Sequence, residues 1–118
     1  MSSLAVVVWS AGSQLFALEA SRIRALQPYS PDPAPLHLHQ LLPGLVIEPA
    51  LFCLGCQTAD DQLCWLAIGS EPQHVQLSTD SIQPLPAALQ HARQHPALRA
   101  LAWYQNRPLT VLDGTLLS

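Results

Sequence analysis

Residues 98–114 read LRALAWYQNRPLTVLDG, and this stretch decides the fold that we predict. Residues 98–104 form an apolar run that ends in two aromatic side chains, and residues 108–113 form a second run that is β-branched. The polar residues 105–107 separate the two runs. Two such runs across a short polar break predict a β-hairpin. Because Pro108 has no amide hydrogen, we expect it at the start of its strand or at a sheet edge.

Outside this hairpin, the sequence predicts further short strands and one short helix. The helix is expected near residues 86–95, between Pro86 and Pro96. Residues 27–35 hold four prolines and predict an extended surface connector. Short strands at close spacing with one brief helix favour an all-β barrel or sandwich. The remaining strands are expected at residues 4–9, 15–20, 36–41, 51–56, 63–68 and 74–79.

The composition excludes some classes of partner. The chain has 118 residues, a net charge of −3 and five Lys or Arg, so it has no basic stripe for nucleic acid. Charged residues make up 11% of the chain, against about 25% in ordinary soluble domains. With 49% hydrophobic residues, some apolar surface is expected to stay exposed for a protein partner. A poorly charged but self-contained domain is the alternative.

Cysteine count and apolar runs predict a cytoplasmic protein. Three cysteines, an odd number, fit a reducing compartment better than a disulfide framework. The apolar run at residues 4–9 follows no basic residue and is too short for a signal peptide. No apolar segment approaches the ~20 residues that span a bilayer, so we expect no membrane insertion.

Cys53 and Cys56 have the C-x-x-C spacing of a redox pair or of half a zinc site. A redox pair lies between a strand and a helix, whereas residues 57–61 are typical of a turn. In a regular strand, residues three apart face opposite sides, so these two sulfurs cannot share a metal. A short loop at residues 59–61 would place Cys56 opposite Cys64, and two inert core thiols are the expected result.

A metal site is nevertheless the alternative function. His37 and His39 are two residues apart in the strand expected at residues 36–41, so both point to the same side. Together with Cys53 or Cys56 they would form a mixed zinc site, and the chain would be a small metal-binding module. The solvated face of a half-buried strand explains the two histidines equally well.

The sequence gives little support to an enzyme. His91 and His95 are four residues apart on the predicted helix, but no Glu follows His91, so a polar helix face explains them better than a metalloprotease motif. The chain has no G-x-S-x-G elbow and no phosphate-binding glycine loop. We therefore predict no catalysis and no cofactor.

Large aromatic side chains are the expected anchors for a protein partner. Trp65, Trp103 and Tyr104 are the candidates, because Trp and Tyr are enriched at interface hot spots. At least one Trp is expected to fill a core instead. Trp103 and Tyr104 are neighbours in a predicted strand and must point to opposite faces, and we expect Tyr104 to be the outward one.

Residues 82–86, which read IQPLP, and residues 98–102, which read LRALA, resemble motifs of the CheW-like domain, the adaptor module of bacterial chemosensory arrays. The C-terminal half carries most of the likeness, including the I-x-P-L-P motif of the family at residues 82–86 and its LRGVA-like strand at residues 98–102. The proline connector replaces a turn of the Asn-Leu-Arg-Gly type, which implies a shortened first subdomain. The other similar segments are residues 14–24, 35–42, 61–68, 75–77 and 109–113.

The resemblance implies a fold and a function. The fold is two small β-barrels packed together as a single CheW-like domain over residues 1–118. The function is a non-enzymatic scaffold in chemotaxis or twitching motility that links a histidine kinase, by its regulatory domain, to a chemoreceptor. Whether the shortened subdomain pairs its exposed sheet edge with a second copy, giving a homo-oligomer, stays open.

Overall fold

The computed structural model describes residues 2–12, 14–31, 35–37, 49–84 and 98–113, and β-strands make up most of this part of the chain. The strands form two sheets, called sheet A and sheet B below. Sheet A has the strand order β7-β1-β2-β10-β9-β8, and sheet B has the order β3-β5-β6-β4. The strands are β1 (Ser3–Ala11), β2 (Gln14–Glu19), β3 (Ile23–Pro28), β4 (Leu36–His37), β5 (Phe52–Gln57), β6 (Leu63–Ile68), β7 (Gln73–Ser78), β8 (Gln83–Pro84), β9 (Leu98–Tyr104) and β10 (Arg107–Leu112).

Sheet A joins the two ends of the chain. Strands β1 and β2 form an N-terminal hairpin, in which Gly12 takes a positive φ of 63° at the turn. Strand β10 then adds to the free edge of β2 in the parallel direction, from the pair Leu109–Leu15 to the pair Leu112–Leu18. Sheet B, in contrast, is built from strands that lie between residues 23 and 68.

The hairpin predicted from residues 98–114 is confirmed as the antiparallel pair β9–β10. Its turn is one residue shorter than the polar break, because Arg107 already pairs with Tyr104. Pro108 is the second residue of β10 and pairs with Trp103. The contact between β10 and β2 starts only at Leu109, so no neighbouring strand needs an amide from Pro108.

In sheet B, the proline-rich stretch begins inside a strand. Gln27 and Pro28, the first two residues of the predicted connector, pair with β5 as the end of β3. This strand lies at a sheet edge, where a proline is tolerated.

Of the strand expected at residues 36–41, the described part is β4, which pairs in parallel with β6. The helix expected near residues 86–95 lies outside the described residues.

Two hydrophobic clusters lie on the two faces of sheet A. The intersheet core packs Trp9, Phe16 and Leu18 of sheet A against Leu54 and Leu66 of sheet B. Sheet A encloses a second cluster on its other face, and this cluster includes Val6, Val8, Leu15, Leu77, Leu109 and Val111. Strand alternation explains the division, since neighbouring residues of one strand face opposite clusters. The predicted all-β architecture of two packed β subdomains is confirmed.

Candidate partner-binding surface

Trp103 is the most exposed large hydrophobic side chain among the described residues, with 60% of its surface accessible to solvent. It lies on β9, where it alternates with the buried Ala100 and Ala102. Leu101 shares its face and is 42% exposed. On the adjacent strand, Pro108 pairs with Trp103 and Thr110 pairs with Leu101. Leu101, Trp103, Pro108 and Thr110 form what we call the Trp103 strip.

The Trp103 strip continues the face of sheet A that binds sheet B. Thr110 pairs with Leu101 on one side and with Phe16 on the other, and Phe16 in turn pairs with Trp9. Along this row, the Trp9 and Phe16 side chains are buried in the intersheet core, whereas Leu101 is exposed. The same sheet face is therefore covered at one end and open at the other.

Tyr104 does not face outward, contrary to our expectation. Its side chain is half-buried and packs against the cluster enclosed by sheet A. The reason is the register of β9, in which Tyr104 shares its face with Ala100 and Ala102. Of the two neighbouring aromatics, Trp103 is the exposed one. The hydrophobic pattern of β9 alone is ambiguous here, because both of its faces carry apolar side chains.

Trp65 lies on sheet B, on the face opposite to the intersheet core. It pairs with Gly55 of β5, and a Cβ at Gly55 would lie 3.0 Å from Cζ3 of the Trp65 ring. The ring therefore covers the glycine, and the Trp65 side chain is half-buried there. An aromatic side chain over a cross-strand glycine stabilises the sheet, so packing within sheet B explains in part why Trp65 lies on this surface.

The cysteines have the arrangement predicted for inert thiols. Cys56 lies directly opposite Cys64 across the β5–β6 hairpin, and all three cysteines are free. Cys56 joins the intersheet core, while Cys53 is buried on the other face of the strand. Burial raises the pKa of the Cys56 thiol to about 12, with a further contribution from the charge of Cys64. Burial also raises the pKa of Cys64.

The alternative zinc site gains no support from the described residues. His37 lies on β4 beside Tyr29, with the two ring centroids 6.3 Å apart. Within the described ranges, no three His, Cys, Asp or Glu side chains converge as metal ligands. His39, the other proposed ligand, is outside the described residues, as are His91 and His95. Cys53 and Cys56 point to opposite faces, which prevents them from sharing a metal.

Comparison with solved structures identifies the fold. The chain superimposes on the crystal structure of the scaffolding protein TtCheW from Thermoanaerobacter tengcongensis with a TM-score of 0.72. This chain has a CheW-like fold. The alignment covers 94% of this chain and 89% of TtCheW, at 12% sequence identity. No protein-family model and no curated protein matches the sequence.

The sequence predicts only part of the Trp103 strip. Leu101 and Pro108 were not singled out as candidates, although the alternation of the predicted hairpin places them beside Trp103. Their exposure depends on where sheet B ends over sheet A, which no local pattern reveals.

Within the described ranges, we find no helix with the length and apolar character that a membrane span requires.

Proposed function

We propose that this chain is a non-enzymatic, cytoplasmic adaptor of a bacterial chemosensory complex. In this proposal it binds the regulatory domain of a histidine kinase, a chemoreceptor, or both. The observation that carries the proposal is the exposed Trp103 strip. A Trp that is 60% exposed on a sheet face is a residue type enriched at interface hot spots, and the exposed Leu101 and Pro108 extend the apolar surface around it.

Two further observations support a binding role. The face of sheet A that carries the Trp103 strip already packs against sheet B at its other end. The shape and apolarity of this face therefore suit another β-sheet surface. The chain has few charges, which agrees with a surface that binds by apolar contact. The structural neighbour TtCheW is described as a scaffolding protein, and the proposal extends that role to this chain.

The test is a binding titration against the regulatory domain of the chemosensory kinase from the same organism. Trp103→Ala should weaken binding by at least about 2 kcal/mol, as expected for a hot-spot Trp. Trp65→Ala is the matched control, because Trp65 is half-buried on sheet B. Leu101→Ala and Leu26→Ala form a second pair, since both leucines are exposed but Leu26 lies on β3.

The outcomes separate the surfaces. Loss of affinity in Trp103→Ala and Leu101→Ala, but not in the two controls, supports the Trp103 strip. Equal loss in Trp65→Ala would move the interface to sheet B. If correctly folded protein binds neither the kinase domain nor a receptor cytoplasmic tail, the adaptor proposal is wrong. Sedimentation of the free protein shows whether the strip is covered by a second copy instead.

A further inference from the structure

Cys56 and Cys64 lie within reach of a disulfide bond. They occupy directly opposite positions on the antiparallel strands β5 and β6. Both side chains point to the same face of sheet B, since Cys56 belongs to the intersheet core and Cys64 packs against it. The charge of Cys64 contributes to the raised pKa of Cys56, as expected of two sulfur atoms that lie close together. The third cysteine, Cys53, is buried on the opposite face of β5.

The hydrogen-bonding ladder sets the distance between the two backbones. The amide of Thr58 donates to the carbonyl of Gln62 at 2.8 Å, which marks a hydrogen-bonded pair at the turn. Because such pairs alternate along an antiparallel ladder, Cys56 and Cys64, two positions further on, form a hydrogen-bonded pair as well. The Cα atoms of such a pair are about 5.5 Å apart, which is within the range that a disulfide bridges.

The same position in the ladder makes a bond between these two cysteines easy to reduce. In a hydrogen-bonded pair the Cβ atoms lie toward the long end of about 4.5–5.5 Å, whereas a disulfide holds them about 3.8 Å apart. Bond formation therefore pulls the two strands together and strains the hairpin. Strained disulfides are reduced more readily than the structural disulfides of secreted proteins. The pair therefore suits a reversible bond better than a permanent cross-link.

The two thiols differ in access to solvent. Cys64 is half-buried, so a small molecule reaches its sulfur, whereas Cys56 is fully buried. Burial raises the pKa of both thiols, so few of them are ionised at neutral pH and exchange with a disulfide is slow there. Both thiols are therefore inert during brief exposure to an oxidant at neutral pH, and their reaction accelerates as the pH rises.

We propose that Cys56 and Cys64 are a redox modification site that forms a reversible disulfide by exchange with a low-molecular-weight disulfide such as oxidised glutathione. The Cys64 thiolate attacks one sulfur of the glutathione disulfide, which gives a mixed disulfide and releases one glutathione thiolate. The Cys56 thiol gives its proton to solvent, and its sulfur attacks the Cys64 sulfur and releases the second glutathione. Two protein thiols are oxidised, and one glutathione disulfide is reduced to two thiols. The site lies on sheet B and does not depend on the proposed adaptor function.

A count of free thiols in the full chain tests the proposal. Native protein is incubated at about pH 8.5, where half of an ordinary thiol is ionised, in buffers that range from reduced to oxidised glutathione. The free thiols are alkylated in urea and counted by mass spectrometry. Their number should fall from three to one as the buffer becomes oxidising, because only Cys53 stays free. It should return to three when reduced glutathione is restored.

The turn between the two strands supplies a way to locate the bond. Asp60 and Asp61 lie between Cys56 and Cys64 in the sequence. Cleavage before these aspartates therefore leaves the two fragments joined only if a disulfide crosses the turn. Cys53→Ala is the matched control and should keep the cross-link, whereas Cys64→Ala should abolish it. In urea, Cys53 should compete for Cys56, because loop closure rather than the fold then decides the partner.

Each result decides the proposal. A reversible cross-link in the native protein that survives in Cys53→Ala supports it. The proposal is overturned if all three thiols stay free in oxidised glutathione alone, or if Cys64 stops at a mixed disulfide with glutathione. A native disulfide that contains Cys53, or a bond that reduced glutathione does not reverse, also overturns it. The mapping uses the unmodified chain, so the result stands even if a variant fails to fold, and none of these results depends on kinase binding.

Discussion

At Gly55, the ring of Trp65 fills the space that a side chain would occupy. Gly55→Ala would place a methyl group 3.0 Å from Cζ3 and 3.2 Å from Cη2 of the ring, tighter than most contacts that a Cβ makes. We expect the variant to lose about 1–3 kcal/mol of unfolding free energy, because the ring has to shift by a few tenths of an ångström out of its packed position. Urea denaturation measures the loss, and a red shift of Trp fluorescence would report the displaced ring.

The control for Gly55→Ala is the same substitution in a Trp65→Leu background. Without the large ring, the added methyl group meets Ala25 at an ordinary 3.4 Å, and alanine suits a strand better than glycine. The substitution should therefore cost little there or stabilise. Equal losses in both backgrounds would show that the contact with Trp65 does not explain the cost.

Cys56 should make stability fall at alkaline pH. Its thiol has a pKa of about 12 in the native state, against 9.0 when unperturbed. Between these values the unfolded state releases a proton that the native state keeps, so rising pH favours unfolding. For one thiol the slope approaches about 1.4 kcal/mol per pH unit. The chain contains no lysine, which leaves fewer other groups titrating in this range.

Urea midpoints measured from neutral pH up to pH 10 or so test this prediction. Cys56→Ala removes the thiol with the large pKa shift and should make the pH dependence shallower, leaving the contribution of Cys64, although it lowers stability at neutral pH by creating a small cavity. Cys53→Ala is the matched control, since Cys53 is also buried in β5. If Cys53→Ala flattens the curve and Cys56→Ala does not, the assignment of the raised pKa to Cys56 is wrong.

Among the structural elements, the β9–β10 hairpin has an unfavourable turn sequence. Gln105 and Asn106 have φ values of 51° and 62°, and two positive φ angles are required by the type I′ turns that fit the twist of a hairpin. Asn tolerates this conformation, but Gln does so poorly. Gln105→Asn should therefore stabilise the protein by up to about 1 kcal/mol. Thermal unfolding detects the gain.

Gln14→Asn is the control for this turn prediction. Gln14 is exposed at the start of β2, where its extended backbone gives Asn no advantage. The control should be neutral or slightly destabilising. Stabilisation by both substitutions would indicate a general effect of Asn for Gln and would contradict the turn-specific explanation.

How much of each element could be predicted depends on whether its signal is local. The β9–β10 and β5–β6 hairpins were predicted correctly, including the pairing of Cys56 with Cys64, because each is a contiguous pattern around a polar turn. Strand β3 was not predicted, since its end carries Pro28 and its pairing to β5 is interrupted between Ile23 and Ala25. The prediction that Tyr104 faces outward was wrong, because both faces of β9 carry apolar side chains and the pattern does not distinguish them.

For the molecule as a whole, we expect the hydrogen bonds of Ser70, in the connector from sheet B to sheet A, to contribute strongly to the free energy of unfolding. Pairing between β1 and β7 ends at Val8 and Gln73, and the Ser70 hydroxyl then satisfies the amide and carbonyl of Ser10. Ser70→Ala leaves both groups without this partner. We expect a loss of about 1–3 kcal/mol in unfolding free energy.

Ser81→Ala provides the comparison for Ser70→Ala. The Ser81 hydroxyl also donates to a backbone carbonyl, that of Ser78 at 2.7 Å, but at an exposed site. Water replaces that bond, so the cost should stay below about 1 kcal/mol. Because both sheets share the intersheet core, unfolding of Ser70→Ala should remain a single transition by Trp fluorescence and by circular dichroism. Similar losses in the two variants would contradict the role assigned to Ser70.

The position of β10 has a consequence for synthesis on the ribosome. The β1–β2 hairpin is synthesised before the other strands, but the edge of β2 stays unpaired until β10 is translated, about ninety residues later. Sheet B is encoded in between, so its strands can pair while sheet A is still incomplete. During this interval the nascent chain presents an apolar strand edge, which is a site for aggregation or chaperone binding. Sheet A can close only when Leu112 has left the exit tunnel.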